Sequence, residues 1–208
     1  MLSSRLQRLI EELYRVEGAP PVEDFCVEAQ HLGDVVDLRG KREMLVIVSE
    51  EDSTDVGLFL APDVISGATR FLEARAGADH SVNIDDFCVA LEGVSHFVYF
   101  MFCGATQARP VSLIELELQA ELDKFLFLRL LCPLPELRER LFARFTLRTG
   151  LSAEEQERYQ VANARAHRYA RWLDEKFARG DVGEALEDAR QLYRKPLEFK
   201  LDHIDRAA

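Results

Sequence analysis

Apolar residues recur at every third or fourth position in the first segment of the chain, which is typical of an amphipathic helix. Leu6, Ile10 and Leu13 fall on one face of that helix, and arginine and glutamate residues fill the other face. The Gly- and Pro-rich stretch 18–21 ends the pattern. The pattern therefore predicts a helix over residues 2–16.

Short apolar runs separated by polar turns follow, and they predict β-strands. The first two candidates are residues 24–29 and 35–38. The β-branched run Met44–Val48 and the run Gly57–Leu60 predict the two strands of a hairpin. A proline after this hairpin opens an amphipathic helix over residues 62–77.

Residues 83–103 fit two patterns. One helical face would carry the apolar residues Phe87, Leu91, Val94, Val98 and Met101. The many β-branched and aromatic side chains, however, favour strands, and Gly93 in the middle favours a turn. We predict a hairpin with strands Phe87–Leu91 and Val94–Cys103, and a single helix is the alternative.

Three sequences with the spacing of a capping box predict the starts of later helices, at Ser112–Glu115, Ser152–Glu155 and Asp181–Glu184. The first of them opens a helix over 113–131. The sequence Cys132-Pro-Leu-Pro135 then indicates a boundary between an acidic α+β domain (1–131) and a helical C-terminal subdomain (136–208).

The predicted fold class is α+β: a small antiparallel sheet of about four or five strands with packed helices, followed by an all-helical C-terminal region.

Charge is distributed unevenly. The 208 residues include 26 Lys and Arg against 37 Asp and Glu, a net charge of −11. Residues 1–150 hold 15 of the basic and 25 of the acidic side chains, so the acidity belongs to the α+β part. Phosphate contacts need clustered basic side chains, so this balance argues against binding to nucleic acid or to an anionic membrane.

Sequence features also bear on the cellular location. The best apolar run, 97–103, is far shorter than the roughly 18 residues of a membrane span. Glu11 and Glu12 would interrupt the apolar part of a signal peptide. The four cysteines lie in apolar contexts and are interpreted as buried free thiols. We therefore predict a cytoplasmic protein without a membrane segment.

Glu92 and His96 are the first candidates for chemistry, because on a helix their spacing of four residues would place both on one face. Such a pair suits metal binding or acid–base catalysis. Carboxylates of the predicted helix 113–131, among them Glu115 and Glu121, would complete a metal-dependent hydrolase site. The commoner interpretation of those carboxylates is an exposed helix face.

Two further groups suggest binding rather than catalysis. Arg165, Arg168 and Arg171 form a basic stretch that can contact a partner, either the acidic part of the same chain or a second copy. An aromatic set, consisting of Phe97, Tyr99 and Phe125, would line a pocket if the protein is a small-ligand sensor.

A search for established catalytic motifs finds neither a nucleophile elbow nor a glycine-rich phosphate loop, and no cofactor is implied. Our first hypothesis is a protein-binding, adaptor or chaperone-like module, homodimeric and without catalysis. The predicted order of elements is similar to that of the small acidic dimeric chaperones of type III secretion systems. The alternatives are the metal-dependent hydrolase and the small-ligand sensor.

Overall fold

The computed structural model of the chain describes residues 1–32, 38, 40–49, 54–74, 84–132, 134, 136–144 and 150–207. Helices dominate these residues and surround one antiparallel hairpin. In chain order the elements are α1 (Leu2–Tyr14), a 3₁₀ turn (Val22–Phe25), α2 (Ala29–Leu32), β1 (Glu43–Ser49), β2 (Thr54–Leu60), α3 (Pro62–Ala74), α4 (Ile84–Met101), a π-helical turn (Phe102–Thr106), α5 (Leu113–Leu131), a second π-helical turn (Glu139–Ala143), α6 (Ala153–Arg179), α7 (Val182–Tyr193) and α8 (Leu197–Ala207).

The sheet of the described residues has two strands, so the prediction of four or five strands is not supported. β1 and β2 pair antiparallel from Glu43 opposite Leu60 to Ser49 opposite Thr54, which confirms the predicted hairpin. Residues 24–29, predicted as a strand, form instead the end of the 3₁₀ turn, one isolated bridge at Cys26 and the start of α2. Residues 35–37 of the other predicted strand lie outside the described residues.

Helix α4 replaces the hairpin predicted over residues 87–103. Gly93, interpreted as a turn, lies inside this helix, at the point where the hairpin packs directly on it. A Cβ atom at position 93 would lie 3.0 Å from Leu60 Cδ2 and 3.2 Å from Leu58 Cδ1. The glycine therefore allows a close approach between sheet and helix, and the β-branched residues around it are buried as core side chains.

Helix α5 lies in the centre of the fold, between α4 and α6. All residues from Glu115 to Leu128 except Glu121 are buried, so the interpretation of an exposed acidic face was wrong. Ser112 accepts a hydrogen bond from the Glu115 amide at 3.3 Å, as predicted for the cap. The Glu115 side chain does not return to Ser112, because it binds other groups described below.

The C-terminal helices begin where the capping sequences predict, although the caps differ. Ser152 and Glu155 form the complete capping box. Asp181 makes no side-chain cap, and Glu184 binds Lys176 at 2.9 Å instead. Residues of α6, α7 and α8 join one apolar cluster with those of α1, α4 and α5. The division into domains 1–131 and 136–208 remains a prediction.

The segment Ile84–Thr106 is long and apolar enough to cross a membrane by composition, so the estimate based on residues 97–103 was too short. Two thirds (67%) of its most apolar window is buried inside the fold, as in the core helix of a globular protein. The four cysteines are free thiols, but only Cys103 is buried and Cys26 is exposed, which corrects the prediction for the set.

Candidate metal centre

Facing stripes on two neighbouring helices bring the candidate residues together. Cys88, Glu92 and His96 are four residues apart on α4 and share one face of that helix. Glu117 and Glu121 form a similar stripe on α5, which packs against α4. We call Glu92, His96, Glu117 and Glu121 the carboxylate centre.

Three of these residues converge as a set of potential metal ligands. One ligand atom from each of Glu92, His96 and Glu117 lies within 4.8 Å of the other two. His96 Nε2 is 3.6 Å from Glu117 Oε2, and this buried nitrogen has no hydrogen-bond partner. Metal–ligand distances of about 2.0–2.2 Å separate the ligand atoms of a tetrahedral site by roughly 3–4 Å. Small side-chain movements would therefore close this set around an ion.

Lys124 supplies positive charge between two of the carboxylates. Its ammonium donates to Glu92 Oε2 at 3.1 Å and to Glu121 Oε1 at 2.6 Å. Burial opposes the charged form, but Glu121 and Glu92 outweigh it and raise the pKa of Lys124 well above its ordinary value. Burial also raises the pKa of Glu121, against the effect of the lysine.

The imidazole of His96 lies in a strongly negative field. Burial of the ring favours its neutral form, but the carboxylates of Glu117, Glu43 and Glu92 outweigh this effect and raise the pKa of His96 to about 9. Glu43 reaches the centre from β1, on the side where the hairpin packs against Gly93. Negative groups from three elements thus surround a single histidine, a setting that attracts cations.

The centre is largely buried, and its least buried side chains lie on one side. The side chains of Glu92 and Glu121 are 16% and 12% exposed, whereas that of His96 is 9% exposed. Arg158 of α6 adds a second cation, with its Nε 3.6 Å from Glu117 Oε1. The neighbouring phenol of Tyr159 has its pKa raised, first by burial and then by Glu117, Glu92 and Glu43.

A second polar cluster joins residues of α4 and α5 to α1 and α8, and hydrogen bonds connect its members. Asp123 accepts from Tyr14 at 2.5 Å, from Ser95 at 2.5 Å and from Gln119 at 2.8 Å. Lys200 of α8 donates to Gln119 Oε1 at 2.6 Å. We call these five residues the Asp123 network.

The ionisable groups of the Asp123 network are perturbed by burial. Burial raises the pKa of Asp123, although its three hydrogen-bond donors oppose this shift. Burial also lowers the pKa of Lys200 to about 8, against the attraction of Glu115 and Asp123. The lysine ammonium lies 4.2 Å from the centre of the Tyr99 ring, which provides a further favourable contact for the cation.

Glu115 belongs to neither cluster. Arg109 binds its carboxylate through two nitrogens, at 2.7 and 3.1 Å, and Tyr99 donates to it at 2.6 Å. Glu115 and Glu117 are two residues apart on a helix, so their side chains point to nearly opposite sides. Of the candidate residues, the structure therefore brings Glu92, His96 and Glu121 together and leaves Glu115 apart.

Glu117 is a potential metal ligand that the sequence analysis did not single out. A spacing of four residues places Glu117 and Glu121 on one helical face, but only the packing of α5 on α4 shows that Glu117 meets His96. Of the aromatic candidates, Phe97 contacts Phe25, Tyr99 contacts Tyr193 and Phe125 contacts Phe142, all within the core.

The basic stretch of α6 faces the C-terminal helix. Arg165 and Arg168 both form ion pairs with Asp205 of α8, and Arg168 also donates to the Asp205 carbonyl at 2.9 Å. Arg171 is exposed. Binding of a partner by these arginines remains a prediction.

No protein-family model, curated protein or solved structure matches this chain. The proposal below is therefore based on the geometry of the carboxylate centre.

Proposed function

We propose that the protein binds one divalent transition-metal ion through Glu92, His96 and Glu117 and uses it for hydrolysis. The observation that carries this proposal is the convergence of the three ligand atoms within 4.8 Å, with a buried imidazole nitrogen that has no hydrogen-bond partner. An imidazole with two carboxylates suits Zn²⁺, Mn²⁺ or Fe²⁺.

The reaction class follows from the number of ligands. Three protein ligands leave a coordination position for water, and a bound metal ion lowers the pKa of that water. Glu121 is the remaining carboxylate of the centre, and burial raises its pKa although Lys124 opposes the shift, so it is our candidate for the general base. A substrate would have to approach on the side of Glu92 and Glu121, whose side chains are the least buried of the centre.

Metal titration of purified, chelator-treated protein tests the binding step. We expect calorimetry with Zn²⁺ and Mn²⁺ to show one site, and His96→Gln to weaken the binding by more than about tenfold. The matched control is His203→Gln, because His203 also pairs with a carboxylate, at 2.9 Å from Asp188, but lies on α8. Absence of stoichiometric binding to the wild-type protein would refute the proposal.

Assays on chromogenic phosphate and carboxylate esters test the reaction. We expect hydrolysis by the metal-loaded protein, loss of activity on chelation, and strong loss in Glu121→Gln with metal affinity retained. If the protein binds metal but hydrolyses none of these esters, the proposed enzymatic activity is rejected and only the proposed metal binding stands.

The alternative functions remain predictions. A protein-binding role, a homodimer and a cytoplasmic location are supported by composition and charge alone. Light scattering at two protein concentrations tests the dimer, and a monomer at both would reject it.

A further inference from the structure

A second buried nitrogen at the carboxylate centre has no hydrogen-bond partner. It is Nε of Arg158, on a side chain that is only 15% exposed. This nitrogen faces Oε1 of Glu117 at 3.6 Å, which is beyond a normal hydrogen bond. The guanidinium also lies over the ring of Tyr159, 5.4 Å from its centre.

A buried donor without an acceptor costs about 1–3 kcal/mol, so proteins rarely keep one without reason. Arg109 shows how this fold satisfies a guanidinium, since it binds Glu115 through two nitrogens and also contacts Gln107. Arg158 lies equally close to a carboxylate-rich site but lacks such bonds. Its Nε is thus a donor available to an acceptor that enters the centre.

The net charge of the centre determines whether an anionic acceptor can bind there, and it depends on whether a metal ion is bound. Four carboxylates, from Glu43, Glu92, Glu117 and Glu121, face the two cations of Lys124 and Arg158. This excess of negative charge repels an anion. A divalent ion bound beside a neutral imidazole balances the four carboxylates together with the two cations, and it offers an open coordination position.

We propose that the metal-loaded centre binds an oxyanion between the metal ion and Arg158, so that the substrates are anionic esters held by a phosphoryl or carboxylate group. The planar guanidinium is suited to two-point contact with either group. This inference rests on the metal binding proposed above, and it adds the substrate class and the residue that selects it.

Calorimetry of inorganic phosphate and of acetate with the Mn²⁺-loaded protein tests the inference. We expect at least one of them to bind, and the tighter of the two identifies the group that the site prefers. Arg158→Gln should weaken this binding by more than about tenfold at unchanged Mn²⁺ affinity, and Arg158→Lys should have an intermediate effect. The matched control is Arg165→Gln, a change on the same helix at an arginine that binds Asp205.

The outcomes separate the two proposals. If the wild-type protein fails to bind Mn²⁺ and Zn²⁺, both proposals are rejected. If the metal binds but neither anion does, or if Arg158→Gln binds the anion as tightly as the wild-type protein, only the oxyanion site is rejected. Thermal melting of each variant in chelator shows whether it remains folded. If Arg158→Gln is unfolded, the anion titration is made with Arg158→Lys instead.

Discussion

The carboxylate centre and the Asp123 network both use residues of α4 and α5, yet they differ in how their polar atoms are satisfied. Ser95 and His96 are neighbours on α4, and Gln119 lies between Glu117 and Glu121 on α5. In the Asp123 network each of the five residues makes a hydrogen bond of 2.5–3.1 Å. In the carboxylate centre, Nε2 of His96 has no such partner, and neither has Nε of Arg158 beside it.

This difference shows that a buried polar cluster does not by itself indicate a binding site. A complete network contributes to stability and to a unique packing arrangement, because removing any member leaves its partners unsatisfied. We propose that an incomplete cluster, such as the carboxylate centre, is the one that binds a ligand. The two clusters should therefore respond differently to mutation, pH and metal.

The largest expected effect is on the complete network. Asp123→Ala leaves the hydroxyls of Tyr14 and Ser95 and the amide of Gln119 without their acceptor, so we expect a loss of about 3–5 kcal/mol in the free energy of unfolding. Asp123→Asn should cost less because it keeps one acceptor oxygen. Urea denaturation measures both, and a loss below about 1 kcal/mol for the alanine variant would contradict our view of the network.

Increasing pH should reduce the contribution of the carboxylate centre to the free energy of unfolding. The pKa of His96 is about 9 in the folded protein against 6.5 ordinarily, so the folded state binds more protons between these values. Stability from this group is complete below pH 6.5 and is lost as the pH rises through 9, by roughly 2–3 kcal/mol. Urea denaturation in chelator should show this decline in the wild-type protein but not in His96→Gln. Parallel pH curves for the two proteins would show that the charged imidazole of His96 is not the cause of the decline.

The Asp123 network should show the opposite pH response. The pKa of Lys200 falls from 10.5 to about 8 on folding, so the folded state binds fewer protons in that range. Stability should therefore rise between pH 8 and 10.5, by roughly 2 kcal/mol after allowance for compensating contacts. Lys200→Met should lack this rise when the two proteins are compared by denaturation at each pH. A rise of equal size in the variant would contradict this prediction, because it would show that Lys200 is not the source of the rise.

The smallest expected effect concerns the packing of the hairpin beside the carboxylate centre. Gly93→Val would press on Leu60, Leu58 and the Glu43 carboxylate, and we expect a loss of about 1–2 kcal/mol. The control is Gly104→Ala, because a Cβ atom at position 104 meets no other atom within 4 Å. If metal binds, its affinity should also fall in Gly93→Val, whereas an unchanged affinity would show that Glu43 is not needed.

Parts of this site could be predicted from local spacing. The interval of four residues between Glu92 and His96 places both on one helical face, and this was recognised as one of two alternatives. The prediction of a hairpin over residues 87–103 was wrong because β-branched residues occur both in strands and in buried helices. Gly93 looked like a turn, although its role depends on a sheet that is more than 30 residues earlier in the chain.

Other parts could not be predicted because they depend on distant partners. Asp123 and Glu115 appeared to lie on an exposed acidic face, and their burial is possible only because Tyr14, Arg109 and other donors surround α5. The hydrogen bond from Tyr14 to Asp123 joins residues 109 positions apart. No periodic pattern within α5 identifies such a donor, so Glu117 could not be distinguished from its neighbours.

The hydrogen bond from Lys200 to Gln119 also has a consequence for the order of events during synthesis. The two residues are 81 positions apart, and translation at about 5–20 residues per second separates their appearance by roughly 4–16 s. During that interval α1, α4 and α5 can assemble around Asp123, but the Gln119 carbonyl still lacks the lysine. The nascent chain therefore passes through a period in which Gln119 lacks its lysine partner and the apolar cluster lacks the side chains of α7 and α8.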